Sequence, residues 1–118
     1  MNDEARGKSP IACDMSVLSP AQREMHLATS RELFSNLKEI RELSNGYEVR
    51  LDAPNVILKA AEFVTLEKLC CPFLNFSIEV AAESGPVWLR LTGREGVKEF
   101  IREEINGLLG TAIDWRLK

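Results

Sequence analysis

The chain has 118 residues, 45% of them hydrophobic and 28% charged, the size and balance of one globular domain around a single core. A net charge of −3 with no lysine or arginine run argues against a nucleic-acid partner, which needs a basic face. No stretch approaches the roughly 20 apolar residues of a membrane span, and the acidic opening Met1-Asn2-Asp3-Glu4 is not a secretory signal, so a cytoplasmic protein with reduced thiols is expected.

Residues 1–10 are polar, with Gly7, Ser9 and Pro10, and read as a loose tail ahead of a single domain over 11–118. Ile11-Ala12-Cys13-Asp14-Met15 is apolar enough to lie against the body and carries the first of three cysteines. Ser19-Pro20-Ala21-Gln22 is a strong helix start: Ser19 caps, Pro20 suits the first helical position, and Gln22 completes a capping box. The helix is predicted to end at Ser35 or Asn36, with Leu27, Leu33, Phe34 and Leu37 toward the core. His26, the single histidine, reads as a boundary residue and receives no catalytic role.

Residues 38–43 and 46–52 look like two strands joined at Ser44-Asn45-Gly46, an Asn-Gly hairpin signal. In the second strand Tyr47, Val49 and Leu51 alternate with Glu48 and Arg50, so one face is buried and one wet. A long helix is then expected from Pro54 to Cys70. Ile57, Ala60, Ala61 and Val64 mark its core face by recurring at i, i+3, i+4 and i+7. Leu58, Leu66 and Leu69 give a second apolar side, for which the N-terminal helix is the expected cover and a homodimer partner the alternative.

That helix runs into Leu69-Cys70-Cys71-Pro72-Phe73, where the chain concentrates its reactive chemistry. Extending the core stripe by two turns reaches Cys71 and leaves Cys70 near the border, beside Glu67. Adjacent helical side chains point about 100° apart, which would separate the two sulfurs. Pro72, however, disfavours helical dihedrals at the residue before it, so Cys71 should be the first non-helical residue and its side chain free to converge on Cys70. The position also argues against a simple nucleophile, because the C-terminal end of a helix dipole opposes thiolate. A soft metal escapes that objection, since its own charge drives deprotonation.

Residues 73–82 and 87–91 form a second predicted hairpin around Glu83-Ser84-Gly85-Pro86, with Leu74, Phe76, Ile78 and Val80 on one face. Trp88 falls on the polar face, where a large aromatic covers a sheet edge, lines a pocket or packs on a partner. Thr92-Gly93-Arg94-Glu95 reads as another capping box. Val97, Phe100, Ile101, Ile105 and Leu108 then follow at helical spacing until Gly107 and Gly110 weaken and end the helix. Residues 113–118 alternate and read as an edge strand or a surface segment. The expected architecture is α+β, in the order α-ββ-α-ββ-α, with a four-stranded antiparallel sheet of two hairpins and helices packed mainly on one face.

Leu69-Cys70-Cys71-Pro72-Phe73 followed by Gly85-Pro86-Val87-Trp88-Leu89-Arg90-Leu91-Thr92-Gly93 resembles a group of small uncharacterised bacterial proteins that carry a Cys-Cys-(Pro/Ser)-Phe segment before a β-hairpin. Ala12-Cys13-Asp14 and Leu18-Ser19-Pro20 fit the same group, so the likeness covers most of the chain. Its members occur alongside heavy-metal resistance functions. The resemblance implies a thiophilic metal held by Cys70 and Cys71, with Cys13 as a third ligand, but brings no activity with it. Zinc, Cu(I) and Hg(II) all suit thiolates by softness. Two other readings stay open: a thiol-redox protein using the same pair, although reversible dithiols are usually spaced Cys-x-x-Cys, and a structural module or homodimer whose cysteines only pack. No hydrolase, kinase or dehydrogenase motif is present in the sequence, and a non-enzymatic role is expected.

Overall fold

The computed structural model describes residues 9–110. Helix α1 (Pro20–Ser35) opens on the expected capping box: the Gln22 N–H donates to Ser19 Oγ, and the Ser19 N–H donates to Gln22 Oε1. Strands β1 (Leu37–Leu43) and β2 (Gly46–Leu51) follow as a tight hairpin, then α2 (Val56–Cys70), β3 (Asn75–Val80), β4 (Val87–Thr92) and α3 (Val97–Leu109). A short 3₁₀ turn, Met15–Val17, precedes the whole, capped by the Asp14 side chain. The α-ββ-α-ββ-α order is therefore the observed one.

The sheet is antiparallel throughout, in the order β1-β2-β4-β3. Helix α2 packs on β3 and β4, α3 packs on β2 and β4, and α1 lies across both helices. Alternation assigns the two faces. Tyr47, Val49 and Leu51 of β2 and Leu89 and Leu91 of β4 point into one core with Leu33, Phe34, Phe63 and Ile101. The opposite face carries charge pairs, with Arg50 to Glu39 at 3.3 Å and Arg90 to Glu48 at 3.0 Å. Trp88 belongs to that face yet is buried, because the Arg41 guanidinium lies 4.2 Å from its ring centroid as a cation–π cover.

Several local expectations are corrected. Helix α2 starts at Val56, two residues later than predicted, because Asn55 takes a left-handed conformation with φ 55°. Its buried face is Ala60, Phe63, Glu67 and Cys70, whereas Ile57, predicted to be inside, is exposed. On the second apolar side Leu58 and Leu69 are exposed among the described residues, and Leu66 is half-buried. Leu27 is exposed as well. The capping box at Thr92–Glu95 does not form; Gly96, at φ 97°, is the residue that precedes the helix, without a side-chain cap. Gly110 ends α3 in a left-handed conformation, as expected. Residues 1–8 of the predicted tail and the predicted segment 113–118 lie outside the described residues. Ser9 does not hang loose, since its carbonyl accepts a hydrogen bond from Arg94. Among the described residues no helix is long and apolar enough to cross a membrane.

Gly46 faces β4 so closely that a Cβ there would stand 2.0 Å from the Leu91 carbonyl oxygen. Gly107 has open space around its Cβ position on the exposed side of α3. Gly46→Ala should therefore lower unfolding free energy by about 1–3 kcal/mol through strand displacement, while Gly107→Ala raises it by about 0.5–1 kcal/mol. Urea denaturation of the two variants checks both signs.

Candidate metal centre

The centre is assembled at the C-terminal end of α2. Phe63, Glu67 and Cys70 recur at i, i+4 and i+7, so they line up on the buried side of the helix. Cys71 is the first non-helical residue, with φ −129° and ψ 66°, as the following proline demands. Its N–H still donates to the Glu67 carbonyl at 2.7 Å, but its side chain is turned back toward the helix. Its sulfur comes to 4.0 Å from Cys70 Sγ and 3.5 Å from Glu67 Oε2. Both thiols are fully buried, so neither sits at the rim as a continuous helix would require.

The third sulfur arrives from the N-terminal arm. The Asp14 N–H donates to the Cys70 carbonyl at 2.9 Å, satisfying one of the acceptors left over at the helix end. Asp14 also caps the 3₁₀ turn that leads to the buried Leu18. This docking brings Cys13 Sγ, Cys70 Sγ and Cys71 Sγ within 4.8 Å of one another. All three are free thiols.

Two residues that the sequence reading passed over complete the cluster. His26, 4% exposed, sits on α1 with Nε2 at 2.7 Å from Glu67 Oε1, and Glu67 is itself only 7% exposed. The imidazole stacks on Phe63 with centroids 5.5 Å apart, which fixes the ring plane. His26, Glu67 and Cys70 form a second group with donor atoms within 4.8 Å of one another. His26 Nδ1 is buried without a hydrogen-bond partner. A cue for both residues existed in the helical period. His26, Ser30, Leu33 and Phe34 make an i, i+4, i+7, i+8 stripe on α1, as Glu67 continues the one on α2.

The three sulfurs share one negative charge. Hydrogen bonding from the Cys71 thiol, resisted by burial and assisted by His26, lowers the Cys70 pKa to about 5. Cys71 is correspondingly pushed up, by its bond to Cys70 and then by burial. Burial, followed by the neighbouring Cys70, pushes Cys13 up to about 12. Desolvation works against charge on His26, but Cys70 and Glu67 outweigh it and raise the imidazole to about 9. At neutral pH the cluster thus holds an imidazolium between a thiolate and a carboxylate, with two protonated thiols alongside. Beside Cys13, His26 and Glu67 opens a cavity of about 100 Å³, walled chiefly by apolar side chains of α1, α2 and α3.

The Cys70–Cys71 sulfur separation is 4.0 Å, and Cys13 lies within 4.8 Å of both. Three thiolates around one ion at about 2.3 Å stand about 4 Å apart in a trigonal plane. The donors bound chain positions 13, 70 and 71, so one coordination sphere would tie the arm to the helix end. Comparison of the chain with family models, with curated proteins and with solved structures gave no match.

The metal-free protein should gain thiolate absorbance on raising the pH through about 5, with an amplitude of one sulfur. Cys70→Ser abolishes that step; Cys71→Ala and His26→Phe move its midpoint upward. The signs for stability follow. The Cys70 contribution is complete above the ordinary thiol value of 9.0 and is lost as pH falls through about 5. The His26 contribution is complete below 6.5 and is lost as pH rises through about 9. Ultraviolet pH titration and thermal unfolding across that range check both.

Proposed function

We propose that the protein holds a thiophilic metal ion through Cys70 and Cys71, with Cys13 as third ligand, and carries out no catalysis of its own. The observation that carries this reading is the meeting of three unlinked sulfurs, one from a separate arm, within 4.8 Å. Cysteines that merely fill space have no need to converge, and the convergence here is maintained by a backbone hydrogen bond, Asp14 to Cys70. The buried thiolate and Glu67 carboxylate give the pocket a negative character that suits a cation. Softness favours Cu(I), Zn(II) or Hg(II) over hard cations. The likeness of Leu69–Phe73 and Ala12–Asp14 to bacterial proteins found alongside heavy-metal resistance supports the same reading, and a reducing cytoplasm would keep the ligands available. His26 acts behind the ligands: its bond to Glu67 holds the carboxylate beside the sulfurs.

A second reading has its own support. The low Cys70 value, with Cys13 and Cys71 as neighbouring thiols, also suits thiol–disulfide exchange.

Titration of the reduced protein with Zn(II) or Cd(II), followed by elemental analysis, should give one ion per chain. Because Cys70 is already ionised while Cys13 and Cys71 are not, binding at neutral pH should release about two protons, read by calorimetry in buffers of different ionisation enthalpy. Cys70→Ser and Cys71→Ser lose the ion; Cys13→Ser binds it more weakly. At a thousandfold excess over Kd the ion should raise stability by about 4 kcal/mol. Rapid formation of an intramolecular disulfide with no uptake of metal would move the site to the redox reading.

A further inference from the structure

Cys70 and Cys71 are sealed in the core, and Cys13 is the sulfur that lines the cavity. A ligand approaching through that cavity meets Cys13 first, with the vicinal pair behind it. The rest of the wall is unsuited to a hydrated ion. Leu27 and Phe34 of α1, Phe63 of α2, and Phe100, Ile101 and Leu108 of α3 line the space, and Met15 adds a thioether. His26, Ser30, Glu67 and Glu104 are the polar members of the lining. The cavity thus combines one thiol with a largely apolar lining.

We propose that the ligand is a soft metal ion bearing one apolar organic substituent, an alkylmercury(II)-type cation, with the metal on the sulfurs and the substituent in the cavity. This deepens the metal-binding reading and rests on it. Capture is a ligand exchange without redox change: a sulfur–metal bond forms at Cys13, the metal–hydroxide bond breaks, and the thiol proton leaves with the hydroxide as water. Transfer onward exchanges one sulfur for another: passing the metal to the Cys70 thiolate leaves Cys13 as the thiolate, and passing it to Cys71 moves that thiol's proton to Cys13. The carbon–metal bond stays intact. A space of about 100 Å³ takes a substituent of a few carbons, and each methylene placed there should tighten binding about fourfold.

The test measures Cd(II) alone and the series methyl-, ethyl- and n-propylmercury, each in competition with glutathione, on the wild-type chain. Leu27→Trp on α1 and Leu108→Trp on α3, both at lining positions, are measured in parallel. The expected result is a stepwise rise of about fourfold per methylene in the wild type, flattened in both variants, with Cd(II) affinity the same in all three. The wild-type series alone decides if either variant folds poorly. A flat wild-type series with Cd(II) still bound would overturn the organic substituent and leave the metal site standing. Failure to bind Cd(II) together with a flat series would overturn both.

Discussion

A carboxylate buried at the end of a helix is the constraint on which the rest of the arrangement depends. Glu67 lies where the α2 dipole already places negative charge, and a thiolate shares the space. His26 meets it there with an imidazolium at 2.7 Å. A buried ion pair of this kind adds little net stability, yet removing one partner usually costs about 3–5 kcal/mol, because the other is stranded without water. The pairing therefore specifies how α1 sits on α2 more than it stabilises the pair. The stacked ring of Phe63 removes the remaining rotational freedom of the imidazole.

From that fixed point the sulfurs follow. Cys70 is one turn beyond Glu67 on the same side of α2, and Pro72 forces Cys71 out of the helix just where a return toward Glu67 is possible. The helix end leaves carbonyls without partners, and one of them, on Cys70, receives the Asp14 N–H. The arm that brings Cys13 is thus recruited by an ordinary need of helix termini. Leu18 and the capped 3₁₀ turn hold it from the other side. Fold and centre are not separable here: the same backbone acceptors that end α2 orient its reactive groups.

Much of this was legible beforehand. Ser19 and Gln22 announced α1, Asn45-Gly46 announced the first hairpin, and Pro72 announced that Cys71 would leave the helix. What misled was reading burial from hydrophobicity alone. On α2 the apolar residues Ile57 and Ala61 suggested one face, while the face that packs includes Glu67. That rotated the expected positions of Cys70 and Cys71 by about one residue. His26 was passed over for the same reason, since a polar side chain in a buried stripe counts against the stripe until its partner, 41 positions away, is known. At Thr92–Glu95 no capping box forms, and Gly93 is held instead by tertiary contact, its N–H donating to the Asn45 carbonyl at 3.0 Å. Trp88 misled in the opposite sense: its cover, Arg41, comes from β1, two strands away, and no local pattern encodes it.

The unequal burial of the three cysteines gives them unequal tasks. Cys70 and Cys71 are held by a helix, a proline and a carboxylate, and their sulfurs have little room to move. Cys13 is only half-buried, on an arm tied by a few hydrogen bonds, and its thiol is held protonated by desolvation and by Cys70. The vicinal pair is in hydrogen-bond contact with Glu67 and through it with His26, whereas Cys13 is tied to the helix end by the Asp14 N–H on the Cys70 carbonyl. Protons on Cys13 and Cys71 keep the empty cluster close to neutral, which is what allows three sulfurs and a carboxylate to share one dry space at all. A cation replacing those protons preserves that balance, so the charge state that makes the unliganded fold tolerable is also the one that leaves room for a positive ion.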